Sequence, residues 1–412
     1  MISSPVLPAR ATHPRPADMA LLENQTILLI APQPWNHLQI SKHYYAIELA
    51  RRGNVVFYLE PPNTSSRRGI WTERAADNPG ISIVRYRLGF PMLLRFHARR
   101  LYDWLMRRRI RQILKIIRRP IDIVWSFEFN LFSDLRDFGA PLVVFHPVDP
   151  LSAAHQVSVA RSASAVFSVS EDILGNFRDI KVPAWFINHG LSRPFAEVAR
   201  SSIGLTTTAD GVVRVGYAGN LTRPPLNRAV LGQMIAENPT VEFHFWGPSI
   251  IPRDFRPTVA DEISRFISLL ERSPNVRIHG PIPAEDLARQ LQQMDCLVLS
   301  YSLDPRESDR SNSHKILEYL STGKVVVSSR LSTYATHSEL MRMPENGDDA
   351  HLPALLRETL ERLEEFNAVN RQDERRLFAL DNTYERQLDR IEAKLSEVAP
   401  GIPNAKGCKW PG

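Results

Sequence analysis

Residues 311–329 read SNSHKILEYLSTGKVVVSS, and this block decides the fold. A polar loop of small residues runs into a helix with Lys315 and Glu318 one turn apart, Gly323 stops the helix, and a buried strand follows. Loop, helix and strand in that order make one repeat of a parallel α/β sheet. The strand half of the repeat recurs upstream as VRVGYAG at 213–219, VEFHFWG at 241–247, NVRIHG at 275–280 and DCLVLSY at 295–301. An earlier set runs TILLIA at 26–31, NVVFYLE at 54–60, ISIVRYR at 81–87, IDIVWSF at 121–127, PLVVFH at 141–146, SAVFSVS at 164–170 and AWFINHG at 184–190. Strands this continuously apolar are buried on both faces, so each set predicts a parallel sheet between layers of helices.

The polar stretch SSIGLTTTADG at 201–211 breaks the alternation and marks a boundary. The predicted architecture is α/β, two Rossmann-like doubly wound parallel-sheet domains facing across a cleft. They span 25–200 and 213–375, with a linker at 201–212. Residues 1–24 read as a flexible arm, 376–398 as a final helix and 399–412 as a tail. A chain of 412 residues suits two such units. In these sheets ligands bind beyond the carboxyl ends of the strands, so the loops there are where chemistry is sought.

Apolar residues at 43% and charged residues at 23% exclude a largely disordered chain. No apolar run reaches membrane-spanning length and the first residues carry prolines and charges, which predicts a cytoplasmic protein. Cys296 and Cys408 form neither a disulfide framework nor a zinc site. The net charge of +6 conceals a local excess: ten Lys or Arg against Asp103 between positions 95 and 119 give +9, leaving about −3 for the remainder. No nucleic-acid partner is expected from such a distribution. On a helical wheel Tyr102, Leu105, Met106, Ile110, Ile113, Ile116 and Ile117 share one face, and Arg100, Arg107, Arg108, Arg111, Lys115 and Arg118 the other. Residues 95–119 therefore predict contact with an anionic membrane surface, the plainer alternative being a helix packed on the sheet with its basic face solvated.

The 311–329 block suits a diphosphate. Ser313 and His314 open the helix with free N–H groups, Lys315 supplies an ammonium, and Glu318 suits the two hydroxyls of a ribose. HPVDPLS puts His146 and Asp149 past the end of a first-domain strand, where either positions or deprotonates an acceptor hydroxyl, unless Asp149 merely caps a turn. His189 and Gly190 end the first set of strands and serve as a hinge or touch the donor. No Asp-x-Asp occurs, so no metal ligands are assigned.

These residues carry a resemblance. HKILEYLSTGKVVVSS looks like the donor-site signature of GT-B glycosyltransferases, especially retaining enzymes of glycosyltransferase family 4 and teichuronic-acid-type sugar transferases. YAGNLTRPPLNRAVL resembles their glycine loop, which implies donor contacts from Gly219, Asn220, Arg223 and Arg228, the arginines neutralising phosphate. NTYERQLDRIEAKL resembles the C-terminal helix that crosses back to the first domain. The resemblance implies retaining, metal-independent transfer from a nucleotide-diphosphate sugar, UDP- or GDP-linked, with no cofactor. The implied acceptor is lipid-linked or a glycan, in cell-surface polysaccharide synthesis at the inner membrane face. The sequence departs from the pattern twice. Arg310 stands eight positions before Glu318 where the family often has a second glutamate, leaving Asp309, Glu307 or Asp304 to replace it, or Arg310 to serve the phosphates. APQPWNHLQIS replaces the usual glycine pair after the first strand, which makes Trp35, Asn36 and His37 acceptor candidates, with Trp35 equally a core residue. The alternatives are a nucleotide-sugar binder without transfer, or an epimerase or phosphorylase of the same fold.

Overall fold

In the computed structural model, which describes residues 20–36, 38–63, 69–149, 153–204, 211–252, 255–302 and 312–398, the two sets of apolar runs become two sheets. The first part of the chain runs β1 (Thr26–Ile30), α1 (Ser41–Arg51), β2 (Val55–Leu59), β3 (Ile70–Arg74), β4 (Ile81–Tyr86), α2 (Leu94–His97) and α3 (Arg99–Ile117). It continues through β5 (Ile123–Ser126), β6 (Leu142–Phe145), α4 (Ala153–Ala160), β7 (Ala165–Ser168), α5 (Glu171–Gly175) and β8 (Ala184–Phe186). These strands order β3-β4-β2-β1-β5-β6-β7-β8, with β3 alone antiparallel. After α6 (Arg193–Ser201) come β9 (Arg214–Ala218), α7 (Arg228–Glu237), β10 (Glu242–Trp246), α8 (Pro257–Arg272), β11 (Val276–Gly280), α9 (Ala284–Leu291) and β12 (Cys296–Leu299). Then follow α10 (His314–Leu320), β13 (Val325–Ser328), α11 (Leu352–Glu361), α12 (Leu363–Phe366), α13 (Val369–Asp381) and α14 (Tyr384–Val398). This second sheet is wholly parallel, in the order β11-β10-β9-β12-β13.

The inner strands of the first sheet are buried on both faces, each face by a different set of helices. Leu28, Ile30 and Val84 pack against Tyr102, Met106, Ile110 and Ile113 of α3. Ile27, Leu29 and Trp125 face the other way, onto Tyr45 and Leu49 of α1 and Leu388, Ile391 and Leu395 of α14. α14 thus closes the first domain with the last described residues, while α13 stays on the second. The chain passes between domains twice at one place, where Leu191 donates to the Asn382 carbonyl at 2.7 Å and accepts from the Tyr384 N–H at 3.2 Å.

Several expectations shift. The change of core comes before the polar stretch at 201–211, because Leu191, Phe195 and Ala196 pack in the second core and carry α6 with them. Only the α13–α14 junction, not the whole of 376–398, makes the return crossing. Leu22 is fully buried, its N–H held by Glu392 and its carbonyl by Asn54, so the arm is anchored before residue 24. The run at 184–190 is strand only to Phe186. β3 escapes the sequence reading because IWTER is short, polar and at the sheet edge. On α3, Ile116 is exposed, so the buried stripe is narrower than the wheel predicts.

A paired ion contact crosses between the domains: Arg193 of α6 donates from Nε and Nη2 to the two carboxylate oxygens of Glu48 on α1, both at 2.8 Å. Arg193 is partly exposed and screened, so Glu48→Ala is predicted to lower stability in urea by only about 1 kcal/mol. A loss of several kcal/mol would mean that the pair organises the whole interface.

Candidate active site

α10 is seated by its apolar side: Ile316, Leu317 and Leu320 are fully buried, and Gly323 lets the chain turn into β13. Tyr319 ties the helix to the end of β9 by accepting from the Ala218 N–H at 2.8 Å and donating to its carbonyl at 3.2 Å. Lys315 is buried and donates from Nζ to the Tyr301 hydroxyl at 3.0 Å. Burial opposes its charge, but Tyr301 and Tyr217 outweigh that and hold its pKa above the ordinary lysine value. Its side chain passes directly over Gly219, where an added Cβ would lie 2.5 Å from Lys315 Cε and 2.7 Å from the Tyr217 hydroxyl. Gly219→Ala is therefore predicted to displace the ammonium, weakening donor binding by about 1 kcal/mol, and to lower stability by about 1 to 3 kcal/mol through the clash with buried Tyr217, readable by titration calorimetry and urea unfolding.

Around this lysine the other expected donor residues fall out differently. Arg223 is half-buried near His314, whose imidazole is pushed well below its ordinary pKa by burial first, then by Lys315, His189 and Arg223. Arg228 is committed elsewhere: it donates to the carbonyls of Leu221, Arg223 and Leu226 and to Glu262 at 3.1 Å. It braces the loop, a correction to its expected phosphate contact. Asn220 folds its side chain back to accept from the Thr222 N–H at 2.9 Å and hydroxyl at 2.8 Å. Ser313 is buried at the helix start without capping it. Glu318 lies half-buried, its pKa pushed up to about 7 by burial against the pull of Lys315.

The facing wall is built by α1 and the loop after β6. That loop is pinned at three points: the His146 N–H donates to Ser126 at 2.8 Å, Ser168 Oγ donates to the Pro147 carbonyl at 2.7 Å, and Gln156 donates to the Asp149 carbonyl at 2.9 Å. The Asp149 carboxylate remains half-exposed, 4.0 Å from Lys42 Nζ. Lys42 is 3% exposed. Burial pushes its pKa down, opposed by Asp149 and Glu128. No reading of the sequence marked Lys42, although the first turn of the helix after β1 is a place where the carboxyl-end rule directs attention.

His146 corrects an expectation. Its ring is fully buried, stacked on Phe127 at 4.8 Å and tilted beside Tyr45 at 5.2 Å, and neither ring nitrogen has a partner among the described residues. Burial, then His189 and Lys42, push its pKa down to about 3, so it is a neutral core imidazole and not a base open to the cleft. Trp35 is likewise core: it packs edge-on to Tyr58 at 5.0 Å and is 8% exposed, so it offers no stacking face to a sugar. Asn36 is exposed, and His37 lies outside the described residues, as do Asp304, Glu307, Asp309 and Arg310.

The two walls meet. Asn312 donates to the Val169 carbonyl at 2.9 Å and to Asn188 Oδ1 at 2.8 Å, joining the loop before α10 to the first domain. The rings of His189 and His314 lie 5.9 Å apart, and Ser41 Oγ is 3.5 Å from His189 Nδ1. The Tyr44 phenol on α1 is pushed up to about 12 by burial and then by Glu318 of α10. Gly190 and His189 sit at this junction. The cleft therefore gathers three cations, Lys42, Arg223 and Lys315, around neutral imidazoles, with Glu318 and Asp149 as acceptors at its two sides. That set suits a dianion flanked by hydroxyl groups.

No protein-family model and no curated protein matches the sequence. Solved structures do. The chain is similar to an α,α-trehalose 6-phosphate synthase from Burkholderia multivorans, 14% identical over 92% of this chain and 99% of that one, with a TM-score of 0.65. It is also similar to HepE of Anabaena in complex with UDP and glucose, 14% identical over 92% and 100% at a TM-score of 0.61. A sucrose-phosphate synthase from Thermosynechococcus elongatus matches at 13% identity over 91% and 99%, with a TM-score of 0.64. These likenesses extend over both domains and show that the chain has the GT-B fold.

Proposed function

We propose that the protein is a glycosyltransferase, moving a sugar from a nucleotide-diphosphate donor to a hydroxyl of a lipid-linked or glycan acceptor. The observation that carries the reading is the cleft itself, where Lys315, Arg223 and Glu318 of one domain face Lys42 and Asp149 of the other. The neighbours' UDP and glucose ligands point to the same donor chemistry. Lys315 and Arg223 neutralise the diphosphate, and Glu318 accepts from the ribose hydroxyls. As the bond from the anomeric carbon to phosphate oxygen breaks, its electrons pass to the diphosphate. Cations placed where that charge develops lower the barrier. The acceptor oxygen bonds to the anomeric carbon on the face the phosphate leaves, and its proton passes to the departing phosphate oxygen. Asp149 orients that hydroxyl. The reaction proceeds with retention and without a metal ion, in a cytoplasmic enzyme that meets the inner membrane face through the basic side of α3 and builds cell-surface polysaccharide. Among the described residues no helix is long and apolar enough to cross a membrane.

The test is thermal stabilisation by a panel of UDP-, GDP- and dTDP-hexoses. A donor that binds only the folded chain raises its melting temperature, by about 2.7 kcal/mol of stability at one hundred times its Kd. No stabilisation by any of them would remove the donor site.

A further inference from the structure

The outward side of α2 and the start of α3 is not the simple basic face that the sequence predicts. Leu93 is 65% exposed, Phe96 62%, Trp104 49%, Leu101 47% and Met92 40%. α2 has no buried residue at all. Single exposed apolar residues are ordinary, but five of them fall between positions 92 and 104, in the turn before α2, on α2 and in the first turns of α3. Packing does not account for them, because the sheet is already covered by the opposite stripe of Tyr102, Met106, Ile110 and Ile113.

Cations frame the patch. Arg100, Arg108, Arg111 and Lys115 are exposed along the same helix. The Arg95 guanidinium lies 4.5 Å from the Phe96 ring centre and that of Arg108 6.0 Å from the Trp104 ring. The base of the patch is fixed: Arg95 donates to the Asn130 carbonyl at 3.3 Å and Arg99 donates to Ser133, both in the loop after β5. Its place in the fold matters too. α2 follows the carboxyl end of β4, which is parallel to β1, β5 and β6, so it shares the end of the sheet from which the cleft loops emerge.

A purely acidic partner would engage the arginines and leave Leu93 and Phe96 in water. An anionic bilayer takes both groups, apolar side chains below the headgroups and cations among them. We propose that α2 and the first turns of α3 form a wedge that inserts into an anionic bilayer. The wedge holds the cleft rim at the membrane, where the acceptor is a hydroxyl carried by an amphipathic molecule embedded there. Docking stands independently of the proposed transfer; the nature of the acceptor rests on it.

The full chain is tested for co-sedimentation with phosphatidylcholine vesicles, with and without phosphatidylglycerol, across a salt series. Electrostatic attraction fades with salt, whereas insertion persists. Wild type is expected to bind the anionic vesicles and to retain part of that binding at high salt. In Leu93→Ser/Phe96→Ser the high-salt binding falls about tenfold or more. Melting temperature and donor stabilisation stay unchanged, since both side chains are exposed, so a loss of docking is distinguishable from a failed donor site. Unchanged vesicle binding in the double variant would overturn the wedge. So would lipid-free self-association of wild type that the double variant abolishes, because the patch would then be a contact between copies of the chain.

Discussion

Glu318→Ala is expected to weaken donor binding by about 1.5 to 3 kcal/mol, a factor of about 10 to 150, in a protein that still folds. The magnitude follows from losing hydrogen bonds to a charged acceptor. Folding survives because among the described residues the carboxylate makes no hydrogen bond or ion pair and its burial is a cost: a pKa pushed up to about 7 marks a charge held against desolvation. The sign of the pH dependence follows. In the free protein this raised pKa stabilises the fold at low pH, and that contribution is lost as pH rises through about 7. Donor binding runs the other way, because two ribose hydroxyls need the ionised acceptor. Affinity is therefore predicted to fall as pH drops below about 7, and Glu318→Gln to flatten the profile. His146 and His189, both pushed down to about 3, stay neutral throughout and do not distort it. Calorimetric titration of the bound donor across pH 6 to 8 checks both points; unchanged affinity in a folded Glu318→Ala protein would remove Glu318 from the site.

Asp149→Asn is expected to lower turnover by about 100-fold or more while donor affinity stays nearly constant. The carboxylate projects from a loop fixed at His146, Pro147 and Asp149, so its position is set before any acceptor arrives. Lys42 lies 4.0 Å from it without covering it. An amide in its place accepts from the acceptor hydroxyl only weakly. His146→Phe supplies the contrast: a neutral ring inside an aromatic cluster is predicted to affect stability more than turnover. A large kinetic loss there, with wild-type turnover in Asp149→Asn, would reverse the roles.

Much of this was legible in the residues. Continuous apolar strands announced two parallel sheets, and HKILEYLSTG placed Lys315 and Glu318 on a helix at the carboxyl end of one of them, where the structure finds both. The side chains that failed did so through packing, which a linear reading does not weigh. Trp35, His146 and Arg228 occupy loops of the right kind, yet Tyr58, Phe127 and Glu262 turn them inward. Lys42 lies in no motif and Asn312 reads only as one polar residue of the loop at 311–313, since their meaning arises only when α1 and the loop before α10 meet across the cleft. Residues 193–200 fall on the first-domain side of the predicted boundary yet pack in the second core, because an amphipathic helix states that it covers an apolar surface and not which one.

The most direct measurement of the central claim is release of nucleoside diphosphate from whichever donor stabilises the protein, with and without anionic vesicles carrying a membrane lipid extract. Wild type is predicted to release it and to label a lipid-phase product with the sugar, and Lys315→Met to do neither at a comparable rate. Firm donor binding by wild type with no diphosphate released under any of these conditions would contradict transfer and leave a nucleotide-sugar binder.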